Sequence, residues 1–243
     1  DGTPNTHNTN RSDSYNSIDT KFFLDTYPYQ PVRMTITSDF LNNLAEDIIY
    51  LHNLGFEISA TLAHGIEWDI EKNKKQLSDE LNKLCEYYLA NPQVHTCSLF
   101  NMFLPVIPNK IEQKKWCGSG EHIVAINIDG NEYPCVSFLP NTMTNLSWQN
   151  IDFKSITDFS DIECHDCLIK NICPTCYGMN FMRDGSLVKR DKNLCELYKI
   201  LALANSYLLG IQIEQGLVDF EQKKILVDAI RAIKLIQNNI SIS

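Results

Sequence analysis

Three observations predict an α/β fold followed by a small cysteine-rich α+β module and C-terminal helices. Residues 1–108 carry a strand–helix–strand–helix pattern, which is typical of parallel strands with covering helices. From residue 109 the pattern changes to short antiparallel strands and seven closely spaced cysteines. Two amphipathic stretches end the chain. We therefore predict three segments, 1–108, 109–199 and 200–243, the last being a helical pair.

The composition and net charge indicate which kinds of partner and which compartment the protein suits. With 243 residues and 44% hydrophobic content, the chain can bury a core. A net charge of -9 disfavours nucleic acid and anionic membrane surfaces, which would repel it. The apolar run at 200–211 is too short for a bilayer and predicts a buried helix. Nothing in the sequence resembles an export signal, and nine cysteines then favour metal or cluster ligation in the cytoplasm over disulfides.

The first segment contains two strands and two helices. Residues 31–37, "PVRMTIT", alternate like a strand, and Ser38 or Asp39 can cap the following helix. That helix should bury Leu41, Leu44, Ile48 and Leu51 and stop at Gly55. Residues 56–63 form the second strand. The second helix should bury Leu77, Leu81, Leu84 and Tyr88 and end before Pro92, with the acids Asp79, Glu80 and Glu86 on a solvated face.

The later segments contain a hairpin and two helices. The pair Asp129-Gly130 suits a tight turn between two short strands. The first C-terminal helix should bury Leu194, Leu197, Leu201, Ala204 and Leu208, and after Gly216 the second should bury Leu226, Ile230 and Ile233. Residues 1–17 show no strand or helix pattern and no initiator Met, so we expect the chain to be the latter part of something longer.

The cysteines of the second segment carry the chemistry. The stretch "CHDCLIKNICPTC" places Cys164, Cys167, Cys173 and Cys176 within thirteen residues. A C-x2-C pair puts two thiolates on one turn, where both can reach the same ion or cluster. Cys117, Cys135 and Cys195 flank this stretch.

Zinc is the simpler alternative for these thiols. Zinc ribbons separate their C-x2-C pairs by roughly 15–20 residues, and zinc prefers four ligands. Here five residues separate the pairs, and seven thiolates make one set of four and one of three. Iron–sulfur clusters suit that number better, because one iron can stay open or take another ligand. A third alternative is one local metal on the four clustered cysteines, with Cys195 merely buried.

The spacing resembles a known family. Cys117-x12-Gly130-x4-Cys135, then Cys164-x2-Cys167-x5-Cys173-x2-Cys176, then Cys195, looks like the SPASM domain of radical S-adenosylmethionine (radical SAM, AdoMet) enzymes that modify peptides and proteins. One departure is the final pair, which is usually C-x3-C in that family. Asp1-Gly2, His7, Arg11 and the segments up to residue 94 are similar to the second half of the radical AdoMet partial (β/α) barrel.

The resemblance implies cofactors and a ligand assignment. Cys117, Cys135 and Cys176 would hold the first auxiliary 4Fe-4S cluster, and Cys164, Cys167, Cys173 and Cys195 the second. His122 is a candidate extra ligand of the first cluster. The alternative is that its ring lies in solvent and binds nothing. Zinc is a candidate substitute. The C-x3-C-x2-C motif that binds AdoMet and a third cluster is absent from the sequence, so we expect this chain alone to be inactive.

Other residues are weaker candidates, and the catalytic residues stay unknown. By the same resemblance, Arg11 could contact the AdoMet carboxylate, against a solvated loop arginine. His64 ends a parallel strand, where α/β barrels place their active sites, and is a candidate for the AdoMet or substrate pocket. The alternative is that it simply ends the strand. Tyr177 and Phe181 should pack over a cluster, whereas Cys85 and Cys97 should be core residues.

The implied function is part of a radical AdoMet oxidoreductase acting on a peptide or protein. Sulfatase-maturating members carry an Asp after the cysteine that matches Cys135, whereas this sequence has Val136. We therefore expect a peptide maturase forming thioether or other cross-links, with sulfatase maturation as a lesser alternative. A non-catalytic zinc- or cluster-binding module that recognises peptides is the alternative from a different class.

Overall fold

The computed structural model describes residues 1–109, 115–154, 161–220 and 222–241. In these residues the α-helices are α1 (Pro4–Asn10), α2 (Thr20–Thr26), α3 (Leu44–Asn53), α4 (Ile70–Ala90), α5 (Tyr177–Asp184), α6 (Lys192–Glu214) and α7 (Lys223–Asn239). The strands are β1 (Val32–Ile36), β2 (Ile58–Leu62), β3 (Ala125–Ile126) and β4 (Glu132–Tyr133).

The first strands confirm the predicted βαβα unit. β1 and β2 pair in parallel, with Val32 opposite Ile58 and Ile36 opposite Leu62. Alternate side chains on each strand are buried, as a half-covered sheet requires. Among the described residues this sheet has two strands and does not close on itself, so the partial barrel stays a prediction.

The two covering helices bury the predicted stripes but differ in detail. Leu41, Leu44, Ile48, Leu51 and, on α4, Leu77, Leu81, Leu84 and Tyr88 are all buried. The cap prediction is wrong, because a 3-10 turn, Ser38–Asn43, precedes α3 and neither α3 nor this turn has a side-chain cap. Glu80 is buried and not solvated: its carboxylate accepts the Ala45 main-chain N–H at 2.9 Å. A carboxylate there complements the positive end of α3.

The N-terminal residues are more ordered than their sequence indicates. α1 begins at Pro4, whose fixed φ suits the first helical position. The Asp47 carboxylate of α3 accepts the Thr3 main-chain N–H at 2.7 Å and anchors the start of α1. This long-range bond explains why a stretch rich in Asn and Thr, which are weak helix formers, is helical here.

α6 joins the cysteine-rich segment to the main core. The five predicted residues of its stripe are buried, and the boundary predicted between 199 and 200 lies inside this single helix. By length and composition α6 is also the one described helix apolar enough to span a membrane, and more than half of its most apolar stretch is buried in the chain. In α7 the buried face includes Ile233, whereas Ile230 is exposed, so that part of the predicted stripe is wrong.

A second, aromatic core lies in the cysteine-rich segment. The ring of Phe138 packs on those of Trp148, Phe153 and Phe181, with centroids 5.3 to 6.3 Å apart. The β3–β4 hairpin beside it turns at Gly130 with φ +82, which confirms the turn predicted from Asp129-Gly130. Cys117 and Cys135 pack against this core, whereas Cys167 and Cys173 pack in the main core.

Candidate metal centre

Three cysteines form what we call the first thiol group: Cys117, Cys135 and Cys176. Burial raises the pKa of the Cys117 thiol, and the neighbouring Cys135 and Cys176 raise it further, because adjacent thiolates repel. These residues lie far apart in the sequence, yet their charges interact. The structure therefore brings together the set that the family resemblance implies for one cluster.

Hydrogen bonds hold the Cys117 and Cys135 segments to each other. The Pro134 carbonyl, one residue before Cys135, accepts the Gly120 main-chain N–H at 2.8 Å. The Ser119 hydroxyl donates to the same carbonyl at 3.3 Å. Gly120 has φ +71, and an added Cβ would meet Phe153 at 2.6 Å, so glycine is needed for this close approach.

The Cys135 and Cys176 segments also touch directly. The Ser137 hydroxyl lies 3.7 Å from the Cys176 sulfur. Gly178, in the first turn of α5, packs so closely that an added Cβ would lie 2.4 Å from the Ser137 Cβ. The Tyr177 hydroxyl accepts the Trp116 main-chain N–H and so connects this contact to the Cys117 segment.

The second thiol group consists of Cys164, Cys167, Cys173 and Cys195. Burial raises the pKa of Cys173 to about 12, and Cys195, Cys167 and Cys164 add to that rise. Burial likewise raises the pKa of Cys195 to about 11, with a contribution from Cys164. The four thiols are thus neighbours, with Cys173 buried and Cys164, Cys167 and Cys195 partly exposed.

Tight turns position these four thiols. The Cys164 main-chain N–H donates to the Asp161 carbonyl at 2.9 Å, and the Cys167 N–H donates to the Cys164 carbonyl at 3.1 Å. Cys195 lies in the first turn of α6, which Asp191 caps by accepting the N–H groups of Asn193 and Leu194. Only Pro174 and Thr175 separate Cys173 of this group from Cys176 of the first group.

The arrangement of the thiols can be compared with the needs of a single metal ion and of a cluster. Within the described residues, no three His, Cys, Asp or Glu side chains converge as the ligands of one ion would. The thiols of each group are nonetheless close enough for their charges to interact. A zinc ion needs sulfurs about 2.3 Å from one point, whereas an iron–sulfur cluster spreads its thiolates over several irons. The structure thus places the thiols in a group of three and a group of four, of which Cys173 is the buried member.

A cavity of about 530 Å³ lies between the parallel sheet and the cysteine loops. Its wall is mainly apolar and includes Leu62 of β2, Pro174 between the two thiol groups, and Tyr198 of α6. Asn171 also lines it, and its buried Oδ1 has no hydrogen-bond partner in the described part of the chain. The cavity can take an apolar group that also offers an N–H donor.

The other predicted residues occupy different places. His64 lies 3.3 Å from the Tyr198 hydroxyl, and burial lowers its pKa to about 4, so the ring is neutral. Arg11 is exposed, forms an ion pair with Asp1 at 2.6 Å, and does not line the cavity. The His122 ring is 79% exposed in the loop after Cys117, 3.7 Å from Glu121.

The residues predicted to be structural are buried. Cys85 and Cys97 are each at most 1% exposed, and Cys97 precedes a 3-10 turn, Ser98–Phe100. Tyr177 and Phe181 are each 2% exposed, with Tyr177 close enough to Cys117 for their charges to interact. Phe181 belongs to the aromatic core.

Sequence reasoning missed Arg190 and Tyr198. Arg190 affects the pKa of Cys164, Cys173 and Cys195, and Tyr198 lies between the cavity and both thiol groups. The available signal was position, since the two residues flank Cys195 in the sequence.

Comparisons with known proteins leave the family open. No protein-family model matches the chain, and no curated protein matches its sequence.

Proposed function

We propose that this chain is the auxiliary-cluster part of a radical AdoMet peptide-modifying enzyme with a SPASM domain. One observation carries the proposal: the Cys176 sulfur lies 3.7 Å from the hydroxyl of Ser137, two residues after Cys135, whereas Cys173 neighbours Cys164, Cys167 and Cys195. The family resemblance implies the same partition. A single local metal on the C-x2-C pairs would instead place Cys173 and Cys176 together.

The residues of this chain have three tasks in that function. The seven thiolates would hold two 4Fe-4S clusters, which would supply one-electron transfer when bound. The aromatic core packs against Cys117 and Cys135 and the main core against Cys167 and Cys173, and such apolar surroundings would change the potential of a cluster. The cavity would bind a side chain of the peptide next to Pro174, with the Asn171 side-chain oxygen accepting an N–H group.

Two features support peptide maturation over sulfatase maturation. Val136 follows Cys135 and is 68% exposed. Because valine has no carboxylate, this position offers no base. The mainly apolar cavity suits an uncharged side chain. Cleavage of AdoMet needs the C-x3-C-x2-C motif and is therefore assigned to residues other than those of this sequence.

Metal analysis tests the proposal. After anaerobic purification and reconstitution, we expect about eight iron and eight sulfide per chain and broad absorbance near 400 nm. Cys117→Ser and Cys195→Ser should each lower iron to about four, because each removes a ligand of a different cluster. Cys85→Ser, which changes a buried thiol outside both groups, is the matched control and should keep all the iron.

Two outcomes would overturn the proposal. About one or two zinc per chain without sulfide would favour the non-catalytic peptide-recognition module. Full metal retention in Cys195→Ser would favour a local site on the four clustered cysteines, because that arrangement does not use Cys195.

A further inference from the structure

Arg190 lies where the three segments of the second thiol group meet. Its main-chain N–H donates to the Asp161 Oδ2 at 2.9 Å, and the Asp161 carbonyl accepts the Cys164 N–H. Its guanidinium Nη1 donates to the Pro174 carbonyl at 3.0 Å, directly after Cys173. The next residue, Asp191, caps the helix that carries Cys195. Arg190 is thus bonded to, or adjacent to, each of these segments.

The guanidinium charge reaches the thiols of this group. The Pro174 carbonyl oxygen lies 3.0 Å from Arg190 Nη1 and 3.8 Å from the Cys173 sulfur, so the guanidinium and this thiol contact the same atom. A guanidinium stays protonated in proteins, so this charge is permanent.

The same side chain has a hydrogen-bond donor left over. Arg190 Nε is buried and has no hydrogen-bond partner within the described residues. A buried N–H without a partner is unfavourable, and the nearby sulfur-rich site offers acceptors. The potential of an iron–sulfur cluster depends on the net charge around it and on hydrogen bonds to its sulfurs.

We propose that Arg190 is a positioning residue that raises the reduction potential of the cluster held by the second thiol group. The inference rests on the proposed function. A fixed positive charge favours the reduced cluster, which carries one more electron, over the oxidised one. The guanidinium shares the Pro174 carbonyl with the Cys173 sulfur, and the Arg190 main chain bonds to Asp161 before Cys164, so we expect the effect to fall on the second cluster more than on the first.

Redox titration of reconstituted variants tests this role. Arg190→Gln should lower the midpoint potential of one of the two clusters by at least a tenfold change in its reduction equilibrium, about 59 mV for a one-electron couple. Arg190→Lys keeps the charge without the planar fork, so its midpoint potential should lie between those of wild type and Arg190→Gln. Lys189→Gln removes the same charge one residue away, where the exposed side chain pairs with Asp184, and should leave both potentials unchanged.

The outcomes separate this inference from the proposed function. Equal potentials in wild type and both Arg190 variants, with iron retained, overturn the role of Arg190 and leave the clusters in place. Loss of one cluster in Arg190→Gln but not in Arg190→Lys supports a need for the charge, whereas loss in both overturns it in favour of a purely structural role. A wild-type chain without iron overturns both proposals.

Discussion

Replacing Gly178 with alanine should disrupt the first thiol group and spare the second. The added Cβ would lie 2.4 Å from the Ser137 Cβ, whereas carbon atoms pack at about 3.5–4.0 Å. α5 and the Cys135 segment must therefore separate by more than about 1 Å. Because Cys176 immediately precedes α5, that movement draws Cys176 away from Cys135.

The expected effects are measurable by iron analysis and thermal unfolding. Overpacking of this kind destabilises a protein by about 1–3 kcal/mol. Iron should fall from about eight to about four per chain, because one cluster loses its ligand geometry.

Gly210→Ala is the matched control, since it adds the same methyl group to a helix. There the new Cβ would lie 3.9 Å from the Ile233 Cγ2, which is ordinary contact. Helix propensity should then stabilise this variant by up to about 1 kcal/mol. Equal iron content and equal melting temperature in the two variants would refute the close approach of α5 to Ser137.

Two further predictions concern stability. The pKa of His64 is lowered to about 4 by burial against 6.5 when unfolded, so the stability that depends on its neutral form is present above pH 6.5 and is lost as the pH falls toward 4. Urea unfolding should show wild type losing about 3 kcal/mol more than His64→Gln over that range, and parallel curves would contradict this. In the same assay, Phe138→Ala should lower the free energy of unfolding by about 3–5 kcal/mol, because Phe138 is 1% exposed. At the exposed Val136, the change to Ala should alter it by no more than about 0.5 kcal/mol. Similar losses in the two variants would refute the aromatic core.

Periodicity in the sequence predicted most of the regular structure. The stripes of α3, α4 and α6 recur every three or four residues because each helix has one buried face, and the burial confirms them. α1 escaped prediction because its stability depends on the bond from Thr3 to Asp47, which is 44 residues away. Glu80 was misassigned for the same reason, since its partner lies on another helix. Local patterns do not contain such contacts.

The candidate site was only partly predictable. Spacing indicated that the cysteines share a centre, but spacing alone cannot separate Cys173 from its neighbour Cys176, because that depends on how the chain folds. Arg190 stayed hidden because one arginine in a charged stretch has no periodic signature. Its bond to the Pro174 carbonyl exists only once the loop and α6 meet.

The continuity of α6 has a consequence for how the protein unfolds. Its 23 residues run without a break from Lys192 to Glu214, and the helix carries Cys195 and Tyr198 at one end and packs in the core shared with α4 and α7. Within α6 no break separates Cys195 from that core, so a displacement of Cys195 moves the same helix that packs against α4 and α7. Oxidation or loss of metal should then shift the melting of the entire core, and a calorimetric trace should contain one transition that moves, without a small early step beside a fixed one.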